Sequence, residues 1–238
     1  MNFKRLFFAL VFLSPATASW ADAIVRAADY DSYWLWAGVR ARADIEKART
    51  IYLLQGEVGP DRAGAVRLTA QGGGEPGPHA ATLWLAYRAR SLDWSPDIIA
   101  AILRRYEAWR AKPGGVAGVQ VDFDATTRGL ANYAAFLRDL RRSLPEGCRL
   151  SVTGLMDWAS QASLEDIDAL SGTVDEIIFQ TYRGRETVQN IDAYVARLDR
   201  LRVPFRLGLA EGAVWASPEA LGRNVNFRGY VVFLRNLP

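Results

Sequence analysis

Eight short runs rich in Val, Ile, Leu, Phe and Trp recur along this chain, and most are separated by segments whose apolar residues repeat at helical spacing. They span Tyr33–Val39, Thr50–Glu57, Ala81–Arg88, Gly118–Asp124, Arg149–Met156, Glu176–Tyr182, Phe205–Leu209 and Gly229–Leu234. Such alternation points to a parallel sheet with crossover helices, because each helix lays its apolar stripe on the strands it connects. Ser95-Pro96 supplies an N-cap and a first-turn proline for a helix carrying Ile98, Ile102, Tyr106 and Trp109. Leu130, Tyr133, Leu137, Leu140 and Leu144 share one face of a second helix, which Pro145-Glu146-Gly147 ends. A third follows Asn190 through Ile191, Tyr194, Leu198 and Leu201, and a shorter one is expected around Leu164 to Leu170. Gly59 to His79 has no helical face and contains Gly72-Gly73-Gly74, so the second crossover is expected to be an extended excursion. The expected fold is α/β, a (β/α)8 TIM-type barrel with an irregular second crossover and a missing final helix. A doubly wound open sheet is the alternative.

The 238 residues, half of them apolar, suffice for one buried core. Lys4 and Arg5, then Leu6 to Leu13, then Ser19-Trp20-Ala21 read as a secretory signal, so residues 1–21 are expected to be a signal peptide and 22–238 a single barrel domain. Export to the periplasm or beyond follows. Eight apolar residues are too few for a helix across roughly 30 Å of hydrocarbon, so no stable membrane span is expected after cleavage. Without Lys4 and Arg5 the formal charge falls from +3 to +1, which leaves no basic excess for nucleic acid. His79 is the only histidine and Cys148 the only cysteine. A histidine zinc site, a Ser-His-Asp triad and an intrachain disulfide are all disfavoured, and the glycine triplet lacks the Lys-Ser/Thr ending of a phosphate loop. No metal and no cofactor is expected, and nothing in the sequence indicates an oligomeric state.

The fourth run carries Gln120, Asp122 and Asp124 at every second position. Period two sends them to one face, with the aspartates about 7 Å apart along the strand. Burying an unpaired carboxylate is costly, so this stripe has to meet partners, protons or water. In a (β/α) barrel the chemistry gathers where strands run into their following loops. The polar and aromatic residues there are Trp36, Glu57, Arg88, Asp122, Asp124, Asp157, Trp158, Gln180, Tyr182, Arg183, Glu211 and Trp215. Two readings stay open for the aspartates. Repulsion and desolvation would hold one of them protonated as a general acid. Alternatively, Arg88 or Arg183 neutralises Asp122 while Asp124 caps the Ala-Thr-Thr turn. Trp36, Trp158 and Trp215 suit either sugar stacking or core packing.

Ala117-Gly-Val-Gln-Val-Asp-Phe-Asp124 resembles the fourth-strand signature of family-18 glycoside hydrolases, the chitinase-like barrels, whose pattern is D-G-x-D-x-D-x-E. Gly118 and Asp122 agree with it. Ala117 and Gln120 replace two aspartates, and Asp124 stands in place of the catalytic glutamate. Tyr182 is similar to the tyrosine of that family's sixth-strand M-x-Y-D motif, with Gln180 and Arg183 as its changed neighbours. A broader resemblance, carried by Val121-Asp-Phe-Asp-Ala-Thr, Tyr133-Ala-Ala-Phe-Leu-Arg-Asp-Leu-Arg, Leu150-Ser-Val-Thr-Gly-Leu and Trp84-Leu-Ala-Tyr-Arg, is to the bacterial domain of unknown function 3142 family.

The chitinase-like resemblance implies a substrate whose own acetamido group attacks the anomeric carbon, outside the two-carboxylate scheme. It gives Asp124 the role of acid, Asp122 that of orienting carboxylate and Tyr182 that of donor to the acetamido oxygen. Three functions are therefore expected to compete. One is a glycan-active enzyme built on these residues. The others are a non-catalytic carbohydrate-binding barrel with a tryptophan platform, and an envelope scaffold.

Overall fold

The computed structural model describes residues 23–36, 38–39, 42–72, 82–161, 166–167, 169–198 and 201–236. The expected signal peptide lies outside them, as do residues 164, 165 and 168 of the short helix expected around Leu164 to Leu170. Eight parallel strands follow one another around a closed barrel: β1 (Ser32–Leu35), β2 (Thr50–Pro60), β3 (Thr82–Ala89), β4 (Gly118–Asp122), β5 (Arg149–Leu155), β6 (Glu176–Gln180), β7 (Phe205–Ala210) and β8 (Phe227–Phe233). Tyr33 and Trp34 of β1 register with Val232 and Phe233 of β8 on one side and with Ile51 and Tyr52 of β2 on the other, which closes the ring. The open-sheet alternative is excluded by that closure.

Period two then divides each strand between two cores. Outward residues such as Ile51, Leu85, Tyr87, Val121, Val152 and Phe179 pack under the surrounding elements, whereas Trp34, Tyr52, Trp84, Ile178 and Val231 fill the barrel itself. The crossovers are uneven. Among the described residues a single helical turn, α1 (Ala43–Glu46), lies between β1 and β2. After β3 comes α2 (Pro96–Arg110), with Ser95 as N-cap accepting from the Ile98 amide at 3.4 Å and with Ile98, Ile102 and Tyr106 buried. After β4 comes α3 (Leu130–Ser143), which buries Leu130, Tyr133, Ala134, Leu137 and Leu140 on the expected face. The short α4 (Met156–Gln161) and α5 (Ile191–Leu198) follow β5 and β6. Among the described residues no helix is long and apolar enough to cross a membrane.

The irregular second crossover has a structure of its own. Val66–Ala70 runs back antiparallel along Gly56–Pro60, turning the long β2 into a hairpin that rises beyond the ring. No helix follows β8 among the described residues. In its place Ala23 to Tyr30 packs over the outer faces of β8 and β1. Val25 and Ala27 are buried there, and Tyr30 meets Tyr230 edge-on at 5.8 Å. The Tyr33 hydroxyl donates to the Ala27 carbonyl at 2.9 Å, and Ala23 and Ile24 pair with Trp215 and Val214.

At the amino ends of the strands the barrel interior is plugged. Tyr52 donates to Glu176 Oε1 at 2.5 Å, Arg206 donates to Glu176 Oε2 at 3.2 Å, and Arg149 lies 4.8 Å from the Trp84 ring, which stacks on Tyr52. This buried carboxylate is satisfied from two sides, as a charge in low dielectric must be.

Candidate functional site

The carboxyl end of the barrel holds a cleft of about 170 Å³ lined by Trp34, Trp36, Arg88, Asp122, Asp124, Gln180, Tyr182 and Phe233. Asp122 ends β4 at its floor and is only 9 % exposed. Thr153 Oγ1 of β5 donates to Asp122 Oδ1 at 3.0 Å and Gln180 Nε2 of β6 donates to the same oxygen at 3.3 Å. Burial pushes the Asp122 carboxyl up to about 6; the Thr153 hydrogen bond pulls against that, Asp124 adds to it, and Arg88 opposes it weakly. Two hydrogen bonds to the carboxyl group do not outweigh the loss of water.

Asp124, two residues on in the loop after β4, is exposed. Neither it nor the Tyr182 hydroxyl makes a hydrogen bond among the described residues. The Tyr182 phenol is pushed well above its ordinary range by burial first, then by the charges of Asp122 and Asp124. It therefore stays protonated as a donor beside both carboxyl groups. Trp36 meets Phe233 edge-on at 5.7 Å, and Tyr182 tilts against Phe233 at 6.1 Å, so an aromatic wall faces the aspartates. The Trp36 indole N–H is buried without a partner among the described residues. Below this layer Trp34 Nε1 donates to Gln120 Oε1 at 2.6 Å, and Gln120 Nε2 donates to Ser151 at 2.9 Å. Gln120 is thus committed to the barrel interior and supports the floor without lining the cleft.

Six of the residues named from sequence stand elsewhere. Trp158 is fully buried in α4 between Tyr133 and Phe179 and donates to the Ala125 carbonyl at 2.7 Å, so it is core and no platform. Trp215 is buried against Tyr230 in the small sheet with Ala23. Glu211, 2 % exposed, forms a two-pronged pair with Arg42 at 2.7 and 2.9 Å and accepts from the Arg235 amide, which ties the β7 loop to the segments after β1 and β8. Asp157 accepts from the amide and hydroxyl of Thr127, pinning the loop into α3. Glu57 pairs with Arg90 at 3.4 Å on the β2 hairpin. Arg183 lies exposed in a small hairpin opposite Glu186. Neither Arg88 nor Arg183 forms an ion pair with Asp122.

Trp34, Phe233 and Thr153 complete the site and were absent from the sequence-derived set. Each shares strand parity with a residue already facing inward: Trp34 with Trp36, Phe233 with Val231, Thr153 with Ser151. Among the described residues no group of three or more His, Cys, Asp or Glu stands close enough to hold a metal ion.

The family described as domain of unknown function DUF3142 matches residues 75–207, more than half of the chain and the stretch from β3 into β7. The chain belongs to that family. The DUF3142 chain also resembles solved barrels. The Bacillus cereus spore cortex-lytic enzyme SleL matches over 75 % of this chain at 14 % identity with a TM-score of 0.50, and the chain spans half of SleL. The chitinase domain of the Clostridium difficile spore coat protein CotE matches over 84 % of this chain and 68 % of its own at 14 % identity, TM-score 0.47. The xylanase and alpha-amylase inhibitor protein XAIP-II from Scadoxus multiflorus covers 85 % and 92 % at 12 %, TM-score 0.49. At such identity the likeness to SleL is one of fold. No curated protein matches the sequence.

Proposed function

We propose that this DUF3142 chain is an exported, glycan-active barrel working on a cell-wall or extracellular polysaccharide, with residues 1–21 as its signal peptide. The observation that carries this reading is the convergence of Asp122, Asp124 and Tyr182 on one open cleft with aromatic walls. Asp124 is the acid that protonates the leaving glycosidic oxygen. It is exposed in the cleft lining, where a seated sugar would cover it. Asp122, held through one oxygen by Thr153 and Gln180, keeps its second oxygen to orient the substrate's amide. Tyr182 donates its hydroxyl to the acetamido oxygen. At about 170 Å³ the cleft suits a single sugar residue, below the roughly 300–1,000 Å³ of drug-sized sites.

A non-catalytic binding barrel is the second reading, favoured by the exposure of Asp124 and its lack of a hydrogen-bond partner among the described residues. Asp also reaches one methylene less far than Glu, and a misplacement of about 1 Å costs on the order of a hundredfold in rate. Turnover separates the two. The protein is incubated with peptidoglycan, chitin oligomers and other bacterial glycans, and reducing ends are counted. Cleavage of one substrate, reduced by about a hundredfold or more in Asp124→Asn, is the expected outcome. Binding without cleavage, unaffected by Asp124→Asn but lost with Trp36→Ala, gives the binding barrel.

A further inference from the structure

Arg88 stands between two carboxyl groups and pairs with neither. In the sheet register it lies opposite Glu57 of β2 and Asp122 of β4, and either could neutralise it. Glu57 pairs instead with Arg90, and Asp122 accepts from Thr153 and Gln180. The Arg88 guanidinium is left exposed in the cleft wall, 5.9 Å from the Trp36 ring centroid, with no hydrogen bond or ion pair among the described residues. By contrast Arg42, Arg67, Arg141 and Arg206 each have a carboxylate partner.

An arginine resting on an aromatic face keeps its planar fork oriented, and that fork matches a carboxylate with two parallel N–H···O bonds. In the reading above Asp124 serves the glycosidic oxygen and the Tyr182 hydroxyl the acetamido oxygen. A neutral acetamido sugar would use those and leave the guanidinium only hydroxyls or water, neither of which matches its planar fork. A ring with an acidic substituent uses all three.

We infer that the cleft selects an acetamido sugar that also bears a carboxylate, either a 2-acetamido hexuronic acid or a residue with a lactyl ether, and that Arg88 takes its carboxylate in a bidentate pair. The inference rests on the glycan reading above and adds the substrate class. It is tested by calorimetric titration of the full chain with an oligomer of N-acetylated aminohexuronic acid, with a disaccharide containing N-acetylmuramic acid, and with neutral chitin oligomers of matching length. At least one acidic probe is expected to bind about tenfold or more tighter than its neutral counterpart, a preference that shrinks as salt is raised. Which acidic probe shows it separates uronic acid from lactyl ether. Arg88→Gln is expected to bring the ratio to about one, and Arg88→Lys to keep only part of it. Because the ratio is taken within each variant, a general loss of fold does not imitate a loss of preference. Equal binding of neutral and acidic oligomers overturns the acidic specificity and leaves the glycan reading standing, whereas no binding by any probe overturns both. A preference that survives Arg88→Gln also overturns the role of Arg88.

Discussion

Asp122 is held where its charge is unwelcome. Its carboxyl sits at about 6 in the folded chain against 3.8 for the free group, chiefly because burial strips away water. Between pH 4 and 6 the native state keeps a proton that the unfolded chain has released, so stability is full below about pH 4 and falls as pH rises through 6. A carboxyl raised that far weakens the folded state at neutral pH by on the order of 3 kcal/mol. Asp122→Asn keeps an oxygen to accept from Thr153 and Gln180 and removes the charge. It should raise Tm at pH 7.5 by several degrees and change it little at pH 4, read by thermal melts at the two pH values. An equal gain at both would mean that desolvation of Asp122 is not the cause. The clustering of Asp122 with Asp124, Gln180 and Tyr182 was legible from strand parity alone, since each lies near the end of a strand whose inward face is set by period two. Glu211 was not. Its partner Arg42 is 169 residues away, and nothing local tells a strand-end carboxylate committed to an ion pair from one left open.

At the scale of elements, β7 must pass close to Trp34 of β1, two strands away around the ring. A Cβ on Gly208 would lie 2.5 Å from Trp34 Cζ3 and 2.6 Å from Cη2, far inside contact distance. Trp34 cannot simply swing away, because its indole is tied to Gln120, which is tied in turn to Ser151. Gly208→Ala is therefore expected to cost about 1–3 kcal/mol through overpacking. Adding Trp34→Phe removes the two clashing atoms and should recover much of that loss, a non-additivity that chemical denaturation of the two single variants and the double variant measures. Additive losses would show that the contact is not the source. The strands and the two long helices, α2 and α3, were readable because their apolar spacing is unbroken. The hairpin strand Val66–Ala70 was not, although Val66, Leu68 and Ala70 alternate with polar residues. Its neighbourhood of glycine and proline masks a five-residue strand that only the extension of β2 stabilises. Trp158 escapes sequence reasoning for a related reason: it lies in a short helix, where the two-residue parity of β5 no longer says which way a side chain faces.

For the whole molecule, the question raised by an eighth strand with no helix after it among the described residues is what covers the outer faces of β8 and β1. The structure answers with the segment before β1. Val25 and Ala27 are 2 % and 1 % exposed, the Val25 amide donates to the Ala213 carbonyl at 2.8 Å, and Gly212 donates back to the Val25 carbonyl at 2.9 Å. This extended strap does for the last gap what α2 and α3 do for theirs, but with a handful of side chains in place of a helical face. It also braces the loop after β7. Sequence pattern could not show this, because a short extended strap has no helical period and its partners Trp215 and Tyr230 lie near the other end of the chain. A charge placed there would be buried with nothing to pair it. Val25→Asp should therefore cost several kcal/mol and lower Tm by roughly 6–12 °C for a chain of this size. Ile24→Asp, one residue earlier at a position 61 % exposed, should leave Tm within a degree or two. If the two variants melt alike, the strap is not part of the cooperative unit and the barrel closes without it.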